Sequence, residues 1–268
     1  SVFLSQLLSS PSDEGAQIAQ QVLKKTEKSL AQSFANETKD SDGYLKVLIT
    51  GSPESLSKKL VKGFANAALT YWEKFSGPKP KIVHQLIDAV DSDLSTSQIV
   101  DLVIKLQQGL QNKRCKGILL VIDELGKFLE YEARHYGAND IYLLQSLAEH
   151  ACKGSDVNLF LFVLLHQSFE QYAKGLGENL KNEWSKVQGR FEEVPFLESA
   201  EQVLRVVSAA FVHDMNKQQK GKLTEKTSKI VDVLIKQEAI PGALKMEEAI
   251  NLYASCYPLH PVSAVILP

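Results

Sequence analysis

Lys116-Gly117-Ile118-Leu119-Leu120-Val121-Ile122-Asp123-Glu124 decides how the rest of the chain is read. Five aliphatic residues follow a glycine and end in two carboxylates. A run this short, apolar and rich in branched side chains predicts a strand buried on both faces. Such a strand belongs in the middle of a parallel sheet covered by helices. Acids at its carboxyl end stand at the edge where open α/β sheets bind ligands.

Working outward, Tyr44-Leu45-Lys46-Val47-Leu48-Ile49-Thr50 predicts an earlier strand, and Gly51-Ser52-Pro53-Glu54 turns it into a helix over 55–75. Gly77-Pro78-Lys79-Pro80 breaks that helix, and 81–90 reads equally as strand or helix. Asp91 to Ser97 caps a helix running to about 112. Before the first strand, 1–9 has helical spacing without a start signal. From Ser10-Pro11-Ser12-Asp13 one helix follows, with Ile18, Val22, Leu23, Leu30 and Phe34 along one side; 36–43 reads as a polar loop. After the central strand, 125–139 is a long, partly helical connection punctuated by Gly126 and Gly137. Asp140 caps a helix to about 153. Val157 to Leu165 predicts a second fully buried strand, ending at His166-Gln167-Ser168. A helix over 169–188, interrupted near Gly175 and Gly177, leads to a short edge-like strand, Phe191 to Phe196, where Pro195 is tolerated. Beyond it the pattern is helical only, over 199–217, 222–238 and 245–255. The expected fold is α/β: a parallel sheet with helices on both faces over 1–197, then a helical lid over 198–268.

Composition sets the outer limits. Lysine plus arginine total 30 against 32 acids, a net charge of −2 that exerts no global pull on nucleic acid or anionic lipid. The short basic patches Lys24-Lys25, Lys58-Lys59 and 217–222 read as solvated helix faces, with nucleic-acid contact the sharper alternative. Cys115, Cys152 and Cys256 are sparse and unpaired in spacing, which fits a reducing compartment. His135, His150, Cys152 and His166 lack the spacing of zinc ligands. Tyr71, Trp72 and Phe75 read as core packing. No apolar run reaches the ~18 residues a membrane span needs, and no leader pattern is present, so a cytoplasmic location is expected.

Four places carry a resemblance to the AAA+ and STAND group of P-loop NTPases. Asp123-Glu124 has the form of a Walker B motif, in which the acid pair serves Mg²⁺ and the attacking water. His166 and Gln167 close the next strand, where family members carry a polar sensor of the γ-phosphate; a plain polar strand end is the alternative. Gly189-Arg190-Phe191 matches an arginine-phenylalanine pair that the group often places before its last core strand. The resemblance makes Arg190 an arginine finger acting on a neighbouring subunit; a cation closing a helix C-terminus is the alternative. Tyr257-Pro258-Leu259-His260-Pro261 resembles a segment of large bacterial ATP-binding proteins of phage-defence islands, as do 165–173 (LHQSFEQYA) and 182–196 (NEWSKVQGRFEEVPF). It brings His260 among the candidate nucleotide contacts, against the simpler reading of a turn residue between prolines.

The departure from the group is large, because no Gly-x-x-x-x-Gly-Lys-Ser/Thr occurs. Gly51-Ser52-Pro53-Glu54-Ser55-Leu56-Ser57-Lys58 follows a strand and opens a helix. However, Leu56 replaces the second glycine, Ser57 takes the lysine position, and Glu54 adds an anion. It reads as a decoy. The expectation is a fragment beginning just after the phosphate loop, with helix 1–9 its continuation.

The resemblance thus implies an ATP-binding, ATP-hydrolysing domain of a larger bacterial protein, using ATP and Mg²⁺. Asp123 would handle the metal, Glu124 act as base, His166 or Gln167 sense phosphate, and Arg190 complete a neighbour's site. Assembly or remodelling on DNA, as a homo-oligomer or with other subunits of a multi-protein system, is the implied role, with DNA reached through partners and no membrane. The alternative is a nucleotide-gated scaffold with little turnover. A fragment without its phosphate loop is expected to be inactive.

Overall fold

The computed structural model describes residues 2–111, 113–134, 140–167, 169–172, 178–195, 199–240 and 244–266. They fall into two compact units, Ser1–Glu192 and Glu193–Pro268.

The first unit is α/β. Its sheet has three parallel strands in the order β1 (Leu45–Thr50), β2 (Gly117–Asp123), β3 (Asn158–Val163). The quoted stretch is the middle strand. Register runs Leu45↔Ile118 to Thr50↔Asp123 on one side and Gly117↔Asn158 to Ile122↔Val163 on the other. Parallel neighbours need crossovers, and these are α4 (Leu56–Trp72), α5 (Lys81–Ala89) and α6 (Thr96–Leu110) before β2. Between β2 and β3 lie α7 (Leu125–Arg134) and α8 (Asp140–Lys153). Residues 81–89, which the sequence left open, are helical: Ile82, Val83 and Leu86 fall on one buried side at a helical spacing. A capping box, Ser95 with Gln98, starts α6.

One face of the sheet offers Val47, Ile49, Ile118, Leu120, Ile122 and Leu159 to Leu60 and Phe64 of α4, Val103 and Leu106 of α6, and Leu144 and Leu147 of α8. Tyr71 and Trp72 pack in the same core. The other face meets α1 (Val2–Leu7) and α3 (Lys28–Thr38), with Leu8 and Phe34 against Leu119 and Val121, while α2 (Glu14–Thr26) packs on those two helices. Ile118 to Ile122 are therefore sealed from both sides, each side chain contributing roughly 1.5–3 kcal/mol relative to exposure.

Several expectations fail for identifiable reasons. The strand expected to be fully buried over 157–165 alternates instead: Leu159 is buried while Phe160 and Phe162 are 40% and 42% exposed. β3 ends the described sheet, and the N-terminal helices do not cover that part of its face. The helix expected after Ser10 is two helices, broken at Glu27, whose carboxylate caps α3 by accepting from the Ser29 amide. Ile18, Val22 and Leu30 face solvent, and the contacts are made by Ala16, Ala19 and Ala31. Small residues let helices approach more closely than the larger apolar stripe would. Residues 191–195 form no strand, and Val194 is 68% exposed. No sheet edge among the described residues accepts them, and Phe196 lies outside those residues. The helix expected over 169–188 appears as α9 (Phe169–Tyr172) and α10 (Glu178–Gln188); Gly175, Gly177, Ser168, His135 and Gly137 also lie outside the described residues.

Asp140 does not cap its own helix. Its buried carboxylate accepts from the amides of Leu56 (2.7 Å) and Ser57 (3.0 Å) and from the hydroxyls of Ser55 and Ser57, so it caps α4. Glu132 of α7 in turn accepts from the amides of Asp140 and Ile141 at the start of α8. Burial, reinforced by Asp140, outweighs those amides and pushes the Glu132 carboxyl up to about 7 from an ordinary 4.5. Its Oε2 is buried without a hydrogen-bond partner among the described residues. The folded chain thus holds this proton more tightly than the unfolded chain. Glu132's contribution is complete below pH 4.5 and is lost as pH rises to about 7. Glu132→Gln should remove that slope and leave the first unit about 3 kcal/mol more stable than wild type at pH 8. Urea unfolding at pH 5 and pH 8 checks it, and parallel curves for the two proteins would refute it.

The second unit is helical among its described residues: α11 (Ala200–Ala209), α12 (Lys217–Lys236), α13 (Met246–Ser255) and α14 (Pro261–Ile266). Capping boxes at Ser199/Gln202 and Asn216/Gln219 start the first two. Leu204, Val231, Leu252, Tyr253 and Cys256 form its core. Arg205 of α11 pairs with Glu201 of the same helix (2.7 Å) and joins α11 to α13 through Glu248 (2.6 Å).

Candidate active site at the end of the central strand

The two acids stand where β2 leaves the sheet. The Gly51 amide donates to the Asp123 carbonyl (2.8 Å), the Leu164 amide to Ile122 (2.9 Å), and the Leu125 amide to Leu164 (3.1 Å), which fixes both flanks of the turn. Asp123 Oδ1 accepts the amide of Glu124 (3.0 Å). Glu124 itself has φ +53°, the left-handed region. A non-glycine residue there costs of order 1–3 kcal/mol and persists only where neighbours over-determine it. One such neighbour is Gly51, where a Cβ would lie 2.1 Å from the Glu124 carbonyl oxygen, so only glycine allows the loop after β1 to lie this close. The phenol end of Tyr172 of α9 lies over Gly126, so a side chain at 126 would displace it.

The Glu124 carboxylate has an ammonium and an imidazole as neighbours. Lys127 Nζ lies 2.6 Å from Oε2, and His166 Nε2 lies 3.5 Å from Oε1. Lys127 first, and His166 less strongly, hold the carboxyl below its ordinary range. The sequence-predicted residues Asp123, Glu124 and His166 are thus brought together by the ends of two adjacent strands. Gln167 follows His166 and is exposed. Lys127 escaped motif reasoning. Its signal was its place three residues after Glu124 at the start of a helix, a spacing that pairs side chains.

Arg190 is placed differently. It follows α10, and its guanidinium donates Nε (3.0 Å) and Nη2 (2.8 Å) to Glu149 Oε1 of α8. Its contact is with a helix of its own chain, so service to a neighbour would require Glu149 to release it. His260, in the second unit, accepts the Val262 amide on Nδ1 (3.3 Å) in the first turn of α14. That is the turn role its prolines suggested.

The loop 51–58 is closed to phosphate by the chain itself. The amides that open α4 are taken by Asp140, and Glu54 is held by Lys59 (2.8 Å) and Ser52. An anion already occupies the place where a helix N-terminus would receive one.

Mg²⁺ is a hard cation that takes one or two carboxylates and completes its shell with phosphate and water. Asp123 fits that role: one carboxylate oxygen is engaged by the Glu124 amide and the other is left for a metal. Among the described residues no three His, Cys, Asp or Glu side chains cluster to hold a metal unaided. A metal here would therefore depend on the ligand's own phosphate oxygens. No cradle for those phosphates is found among the described residues, so the side chains present suit a metal and not a phosphate chain. No helix of the described residues is long and apolar enough to cross a membrane. No family model, curated protein or solved structure matches the chain.

Proposed function

We propose that the first unit is the acid-bearing part of an ATP site of the AAA+/STAND kind, its phosphate grip supplied by residues other than the loop 51–58. The observation that carries this is the placement of Asp123 and Glu124 at the carboxyl end of the central parallel strand, with His166 of the adjacent strand against Glu124. Asp123 would hold Mg²⁺, which when bound supplies charge neutralisation at the phosphates. Glu124 accepts a proton from water at its carboxylate once Lys127 no longer holds it. His166 orients that carboxylate through Oε1. Arg190, released from Glu149, would complete a neighbour's site in a homo-oligomer or multi-subunit assembly, and assembly or remodelling on DNA is the use we assign to turnover.

One observation favours a second reading, a nucleotide-gated scaffold with little turnover. The base and the finger are both committed at rest, Glu124 to Lys127 and Arg190 to Glu149. The test is Mg²⁺-dependent ATP hydrolysis and binding by the full-length protein and its Asp123→Asn variant. The ATPase reading expects hydrolysis that needs Mg²⁺ and falls at least about tenfold in the variant. Tight binding without hydrolysis would select the scaffold. Binding and hydrolysis that ignore Asp123 would overturn both.

A further inference from the structure

Two adjacent carboxylates at a strand end repel a polyanion unless something offsets them, and the structure shows what does. α7 begins directly after Glu124, and the Lys127 amide donates to the Glu124 carbonyl (3.1 Å), so the first helical turn brings the ammonium back to the carboxylate. The Lys127 side chain is 50% exposed, against 30% for Glu124. Both ends of the pair are thus open to solvent, and the ammonium is the more exposed of the two. A half-exposed ion pair is weak and open to exchange. His166 Nε2 lies 3.5 Å from the other carboxylate oxygen, so Glu124 keeps a neighbour if Lys127 leaves.

We propose that Lys127 is a phosphate-contacting residue that exchanges partners. It neutralises Glu124 in the absence of ligand and moves onto a phosphate oxygen of a bound nucleoside triphosphate, which leaves the Glu124 carboxylate free. The proposal rests on the nucleotide-site reading above. The flexible four-carbon stem and three rotatable donors of lysine suit such a move, which a planar guanidinium locked to the carboxylate would resist.

The experiment is calorimetric binding of a non-hydrolysable ATP analogue with Mg²⁺ to the full-length protein. Four forms are compared: wild type, Lys127→Met, Glu124→Gln, and the double variant. Lys127→Met should weaken binding about tenfold or more, the loss of one charge-assisted contact. Glu124→Gln should tighten it, because Lys127 is then already free. In the Lys127→Met background Glu124→Gln relieves only repulsion, so its tightening should be smaller in the double variant than with Lys127 present. A Lys127→Met protein that binds like wild type overturns the proposal, and Glu124→Gln tightening that is equal with Lys127 present and in the Lys127→Met background overturns the exchange. Absence of binding by both wild type and Glu124→Gln instead overturns the nucleotide-site reading itself. Lys127→Gln, nearer lysine in polarity, serves as a second variant should Lys127→Met not fold.

Discussion

Replacing Asp140 with alanine lowers the stability of the first unit by about 3 kcal/mol. The carboxylate is buried and accepts from two amides and two hydroxyls, all at the start of α4. Removing it leaves the Leu56 amide, on a residue only 1% exposed, without its partner and strips the helix of the anion at its positive end. The effect exceeds that of an ordinary cap because the cap comes from another element: α4 and α8 lose a tie as well as a hydrogen-bond acceptor. Both tryptophans, Trp72 and Trp184, lie in the first unit's core, so their fluorescence follows that unit alone in urea. The midpoint should fall at unchanged slope. Asp140→Asn, which keeps one acceptor oxygen, should lose about half as much. A loss under about 1 kcal/mol for Asp140→Ala would mean that water replaces the carboxylate at no cost, and the capping account would fail.

Changing Glu124 to glutamine reduces ATP hydrolysis by the full-length protein at least about 100-fold under the proposed mechanism, the usual scale for a positioned general base. Nucleotide binding persists. Glutamine matches the size of glutamate and bears the same left-handed backbone at position 124, so the turn is kept and only the basic oxygen is lost. His166→Ala is the companion variant. It removes the group beside Oε1 without touching the base, and it should lower the rate by a smaller factor while leaving ATP affinity unchanged. Hydrolysis at the wild-type rate in Glu124→Gln would remove Glu124 from the chemistry.

Much of this unit was legible in the chain. Ile118 to Ile122 read as a doubly buried strand because apolar residues on both alternations of a strand leave no face for water. The two neighbouring strands followed from the same logic; Asp123 and Glu124 drew notice by their place at a strand end, and His166 by the family resemblance. The decoy character of 51–58 was visible in its residue types. What periodicity overstated was burial: Phe160 and Phe162 look like core, and Ile18 and Val22 look like a helix face, yet all four are exposed. Apolarity reports what a residue can bury, whereas the neighbours decide whether it does so.

The sequence by itself determined the α/β class, the central strand and the pairing of carboxylates at its end, because each follows from local spacing and side-chain chemistry. Only the tertiary structure decided who neutralises and who caps. Asp140 serves a helix that starts 84 residues earlier along the chain. Arg190 turns to Glu149, 41 residues away. His166 meets Glu124 only because β2 and β3 are neighbours. Such partnerships depend on which elements the core brings side by side, and long-range packing leaves no periodic trace in the chain.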